Sequence, residues 1–118
     1  YLAGITEVAL KNYYTDKTSW QKMLKNEVTA YDLLAERQKI YEVLTSEIKP
    51  YFESTVAIPT VLNYPVLAFP KKVSSLNLEK TPLFTGKLMG VKGQYLIFED
   101  GTVFNIRSNE GYKIRLSI

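Results

Sequence analysis

Asp100-Gly101 stands between two runs of alternating, β-forming residues. A two-residue hairpin loop that matches strand twist needs positive φ at both central positions, and Asp-Gly supplies it. Such a loop also predicts a register, with Glu99 opposite Thr102, Ile97 opposite Phe104 and Tyr95 opposite Ile106 on one sheet face. Upstream, 84–90 reads as a strand, with Gly86 and Gly90 marking a bend or bulge, and Val91-Lys92-Gly93 reads as a turn. Downstream, Asn109-Glu110-Gly111 turns the chain into a last strand over 112–117. Tyr112, Ile114 and Leu116 line one face of it, and Lys113, Arg115 and Ser117 the other. The last third is therefore predicted to be an antiparallel meander. Its core face carries Tyr95, Ile97, Phe104 and Ile106, and its opposite face Arg107, Lys113 and Arg115.

The first half has helical periodicity instead. Ile5, Ala9 and Tyr13 recur every four residues, which predicts a helix over 1–14. A short helix over 20–24 turns Trp20, Met23 and Leu24 inward, with Asn26 as its stop. A third helix is predicted over 29–46. Thr29 and Asp32 have capping-box spacing, and Leu33, Leu34, Ile40, Tyr41 and Leu44 form its apolar face. Pro50 ends it, and Pro59, Pro65, Pro70 and Pro82 restrict 51–80 to short edge strands, at 61–64 and 66–69. The fold class is α+β: two to three N-terminal helices followed by an antiparallel β-meander or small partly open barrel. The predicted division is a helical segment over 1–50 and a β-rich domain over 51–118.

Of the 118 residues, 46% are hydrophobic and 23% charged, which is the globular range. There is no cysteine and no histidine. Disulfides, thiolate zinc sites, cysteine nucleophiles and histidine bases are excluded for this chain. Any chemistry falls to carboxylates, Lys, Tyr, Ser or Thr. No run approaches the roughly 20 apolar residues of a membrane span, and no basic leader is visible, so we expect no membrane and a cytoplasmic setting. The chain opens on Tyr1 rather than Met, and we expect residues to precede it in the full-length protein.

Charge is unevenly spread. Residues 1–53 hold 7 Lys and Arg against 8 Asp and Glu, whereas 54–118 hold 8 against 4. In the basic half, Lys87, Lys92, Arg107, Lys113 and Arg115 with Tyr95 or Tyr112 nearby have the composition of a nucleic-acid surface, where cations hold phosphates and rings stack on bases. A solvated outer face over core aromatics is the competing reading. The carboxylates Glu99 and Asp100 are adjacent, yet Asp suits that turn without any function. The glycine-rich stretch from Gly86 to Gly93 lacks the ending of a phosphate loop and precedes no helix. Of the nine tyrosines, Tyr13, Tyr31, Tyr41 and Tyr112 read first as core-edge residues with a wet hydroxyl, and secondarily as an interaction surface.

The stretch Tyr1 to Leu24, with Gly93-Gln94-Tyr95-Leu96-Ile97-Phe98-Glu99-Asp100-Gly101-Thr102-Val103-Phe104-Asn105 and Asn109-Glu110-Gly111-Tyr112, resembles the C-terminal part of a prokaryotic domain-of-unknown-function family numbered twenty-seven ninety-seven. The resemblance implies a longer protein, with a cysteine-rich, zinc-binding segment and a strand-rich part similar to a GIY-YIG nuclease core upstream. It implies that Glu7, on the helix that follows such a core, matches the glutamate that holds a catalytic divalent cation. The tyrosines and arginine of such a site would lie upstream of Tyr1. No cofactor is expected in this chain itself; zinc or a divalent cation belongs to the full-length protein.

Three functions follow as expectations. The first is a non-catalytic accessory region that contacts RNA or DNA. The second is a protein-interaction or structural module. The third is the remnant of a metal-dependent GIY-YIG-like nuclease with Glu7 as surviving ligand.

Overall fold

The computed structural model describes residues 1–15, 17–53, 55, 58–115 and 117. Its α+β architecture has three helices, α1 (Leu2–Leu10), α2 (Trp20–Leu24) and α3 (Leu33–Val43), followed by a mixed sheet of β1 (Ser74–Ser75), β2 (Leu88–Lys92), β3 (Tyr95–Phe98) and β4 (Thr102–Asn105). The strand order is β1-β4-β3-β2, and the sheet is open. The chain forms two compact units, Tyr1–Thr18 with Thr29–Val61, and Ser19–Val28 with Leu62–Ile118. The segment carrying α2 therefore belongs with the strands. Among the described residues no helix is long and apolar enough to cross a membrane.

In the first unit, α3 begins later than the Thr29 capping box predicts. Asp32 is itself the cap, and its Oδ1 accepts from the N–H groups of Leu34 (3.0 Å) and Ala35 (3.1 Å). Leu44 and Ile48 are buried at the far end, whereas Leu33 and Leu34, predicted for the core, are exposed. Charges and rings alternate beside them. The Arg37 guanidinium lies 4.8 Å from the Phe52 ring centre, Phe52 meets Tyr41 at 5.2 Å, and the Lys49 ammonium lies 5.2 Å from Tyr41. Glu36 accepts from Lys39 Nζ at 2.7 Å and from the Tyr14 hydroxyl at 3.1 Å, and these bonds hold its carboxyl below the usual range.

The second unit is built on Leu24, Ile97 and Val103, which are fully buried, with Trp20, Met23, Val66, Val73 and Tyr95 packed around them. Trp20 stacks on Tyr95, with ring centres 6.0 Å apart and planes 9° from parallel. α2 ends as its sequence predicts. Asn26 takes φ +59°, the Asn26 N–H donates to the Met23 carbonyl, and the Glu27 N–H reaches back to Lys22. This is a Schellman-type ending with Asn in the left-handed position.

The meander's pairing differs from the predicted one by a single residue. Ile97 pairs with Val103, Leu96 with Phe104, and Tyr95 with Asn105. The loop has three residues, Glu99 to Gly101, because Gly101 alone takes positive φ, +84°. The Gly101 N–H closes the turn on the Phe98 carbonyl at 3.0 Å. The Asp100 carboxylate accepts from the Thr102 N–H (2.8 Å) and hydroxyl (2.9 Å), a bonding pattern that suits Asp before a left-handed glycine. A one-residue slip exchanges sheet faces. Val103 joins Tyr95 and Ile97 beneath α2, Phe104 lies with Leu96 on the other face, and Ile106 is exposed.

The two-residue loop is instead Gly93-Gln94, with Gly93 at φ +58° between paired Lys92 and Tyr95. The predicted turn at 91–93 is thus mostly strand, and the strand predicted from 84 starts at Leu88. Val66 bridges Gly90 along the free side of β2, and a side chain on Gly90 would meet Val66 Cα at 2.6 Å. The strand predicted over 112–117 does not form among the described residues; Leu116 lies outside them.

Lys92 is the polar exception inside this unit, only 8% exposed. Its Nζ donates to the Met23 carbonyl at 2.9 Å and to Asn26 Oδ1 at 3.2 Å, between the rings of Phe69 (5.0 Å) and Tyr64 (5.6 Å). Lys92→Met keeps the stem and removes the donor. It is expected to cost about 1–3 kcal/mol in urea unfolding followed by Trp20 fluorescence. Gly101→Ala, forced to positive φ with its methyl against the Lys72 carbonyl, is expected to cost about 1–3 kcal/mol in the same measurement.

Candidate nucleic-acid interface

β4 runs directly into a 3₁₀ turn, Arg107–Asn109. Asn105, one residue before its N-cap Ile106, braces it, with Oδ1 accepting from the Ser108 N–H at 3.1 Å. The Asn105 carbonyl accepts from Asn109 Nδ2 at 2.7 Å. Arg107 is therefore presented from a bonded turn rather than from the sheet face. Gly111, at φ +89°, redirects the chain, and the Tyr112 N–H returns to the Asn109 carbonyl. Among the described residues beyond Tyr112 no strand forms, and Lys113 and Arg115 are exposed. Among the described residues, none of Arg107, Lys113 and Arg115 forms a salt bridge.

Among the described residues, one long-range side-chain bond fastens the tail. The Tyr112 hydroxyl donates to Glu79 Oε1 at 3.0 Å. Glu79 is held in turn by Asn77, whose Oδ1 accepts from the Glu79 N–H (2.9 Å) and the Lys80 N–H (3.0 Å). The bond to Glu79, and then the negative charge of that carboxylate, push the Tyr112 phenol above its usual value.

Two clefts meet at this point. A polar one of about 430 Å³ is lined by Ser75, Asn77, Glu79 and Ser108 among others. A more apolar one of about 340 Å³ is lined by Phe104, Ile106, Arg107, Glu110 and Ile114 among others. Asn109 and Tyr112 line both.

The other residues singled out by sequence lie elsewhere. Lys87 forms an exposed pair with Glu99 at 3.2 Å, at the end of the β3–β4 hairpin opposite Arg107. Lys92 was expected on the same basic surface as Arg107, but its ammonium is turned inward onto α2 and is not available to a phosphate. Glu7 is exposed on α1, and no cluster of three acidic, histidine or cysteine residues that could hold a metal occurs among the described residues. Sequence reasoning named Tyr112 but missed its partner. The local signal was Asn77 two residues before Glu79, the spacing of an Asx turn.

The family described as protein of unknown function (DUF2797) matches residues 1–114. No curated protein matches the chain. No solved structure matches it either.

The raised Tyr112 phenol gives a pH prediction with a definite sign. The neutral, donating form is favoured in the folded chain, so the Glu79 bond is complete below the ordinary phenol value of 10.0 and is lost as pH rises through the higher folded value. Ultraviolet difference titration of the parent against Tyr112→Phe is expected to reveal a phenol ionising later than an ordinary tyrosine. Glu79→Gln is expected to move it back.

Proposed function

The chain belongs to the DUF2797 family of unknown function, and we propose that within it this region is a non-catalytic accessory element that binds the phosphate backbone of RNA or DNA. One observation carries the reading: Arg107, Lys113 and Arg115 lie within nine residues of one another after β4, each exposed and without salt bridges among the described residues. The charge of that unit supports it. The second unit holds ten Lys and Arg against five Asp and Glu, while the first holds five against seven. A cation exchanges its counterions for phosphate wherever several basic side chains can follow a polyanion, and this needs no fixed ligand geometry. Lys87 would serve as an outlying contact weakened by Glu99, and Lys92 takes no part.

Binding of a labelled single strand, followed by anisotropy across a salt series, tests the reading. The affinity is expected to fall linearly on logarithmic axes, with the three cations contributing about −2 to the slope. The Arg107→Ala, Lys113→Ala, Arg115→Ala triple variant is expected to lose about that much of the slope, and Lys87→Ala less than one unit. A salt-independent affinity, or a triple variant with the parent's slope, would remove the basis for the proposal.

A further inference from the structure

We infer that the apolar cleft beside Arg107 is a seat for one unpaired nucleobase, with the Tyr112 ring as its stacking platform. The inference rests on the nucleic-acid reading above and narrows it to single strands. At about 340 Å³ the cleft has room for a single heterocycle. Phe104 at its base belongs to the buried core, but its other apolar walls stand open, since Ile106 and Tyr112 are each 50% exposed and Ile114 is 59% exposed. Half-exposed apolar side chains grouped beside a cation fit a flat apolar body attached to an anion.

The charges decide which part of a nucleotide enters. Arg107 and Glu110 both line the cleft. A phosphate inside would lie beside acidic Glu110 and be repelled, whereas a neutral base carries no charge to repel. The phosphate therefore stays at the rim beside Arg107, and Lys113 and Arg115, on the segment that follows Tyr112, are left for neighbouring phosphates. The neighbouring polar cleft, sharing Tyr112 and Asn109, offers Ser75, Asn77 and Ser108 to a base edge or a sugar hydroxyl.

Tyr112 is also ordered before any ligand arrives. Its hydroxyl is held by Glu79, and Glu79 by Asn77, so a base stacking on the ring has less side-chain freedom to remove. A base in a duplex is paired and stacked on its neighbours, and its face is not available to such a ring. The seat thus implies a preference for single strands that backbone cations alone do not produce.

The test compares three labelled fifteen-nucleotide probes at one low salt concentration: oligo-dT, the same strand with abasic sites throughout, and a duplex. Oligo-dT is expected to bind tightest. Tyr112→Ala is expected to weaken it on the order of 5- to 100-fold, and the duplex and abasic strand less than about 2-fold. Tyr112→Phe keeps the ring and is expected to stay within about 3-fold of the parent on every probe. Trp20 fluorescence melting checks that each variant retains the second unit's packing. An undiminished affinity of Tyr112→Ala for oligo-dT, or equal losses on all three probes, overturns the base seat and leaves backbone binding standing. Failure of the parent to bind any probe overturns both.

Discussion

A lysine ammonium removed from water must replace its hydration with groups that hold it almost as well. Lys92 does so with a carbonyl, an amide oxygen and two ring faces, and both oxygen acceptors belong to the end of α2. The contact acts at a site that a short helix leaves unsatisfied. α2 has five residues, too few to be stable alone, and its last carbonyls need donors. Asn26 and Glu27 supply backbone donors, and Lys92 adds a charged one to the Met23 carbonyl. Leu24 is then seated on Ile97 and Val103, and Trp20 on Tyr95. The sheet has a buried face because α2 covers it, and α2 is a helix there because the sheet completes its end.

The slipped register follows from which residue bears the turn's strain. Asp-Gly invites a loop with two left-handed residues, but a three-residue loop places that conformation on glycine alone and lets the Asp100 carboxylate hold Thr102. Local turn chemistry could not decide between the two, since both use the same dipeptide. Tertiary packing decided. With Ile97 opposite Val103, two β-branched residues meet under Leu24, whereas the alternative would have put the larger Phe104 there. The same tertiary contact makes Gly101 obligatory: its carbonyl accepts from the Ser74 N–H, and a side chain would strike the Lys72 backbone.

Much of the architecture was legible because it depends on short-range signals: the α2 boundaries, the Asn26 stop, the β3 and β4 strands and the α+β order. What was not legible depends on distant partners. β1 is two serines with no strand pattern of their own, recruited in parallel by the far edge of β4. Lys92 looks like any surface lysine until Tyr64, Phe69 and α2, all remote in sequence, close around it. The alternation in 112–117 has the pattern of a strand, yet alternation alone does not form one without a ladder partner, and among the described residues beyond Tyr112 none is paired. On the sheet, β3 pairs on both sides, and β4 is flanked by β3 and β1.

That last constraint shapes the basic surface. Because no ladder pairs with the described residues of the tail, Lys113 and Arg115 follow a segment set by Gly111, the Tyr112–Asn109 backbone bond and the Tyr112–Glu79 bond. Arg107 is different, since Asn105 bonds to the turn that carries it and β4 anchors Asn105. The surface therefore combines one cation whose backbone is held in a bonded turn with two on a lightly bonded segment, the class of structure that opens at least cost. A compact ligand with a few exact contacts would have to order that segment before binding. A polyanion repeats its charge along its length, so each cation can find a phosphate from several tail positions and little ordering is required. The division of labour is the physical reason to read the cations as holding a backbone and the ring between them, fixed through Glu79, as the element that can discriminate.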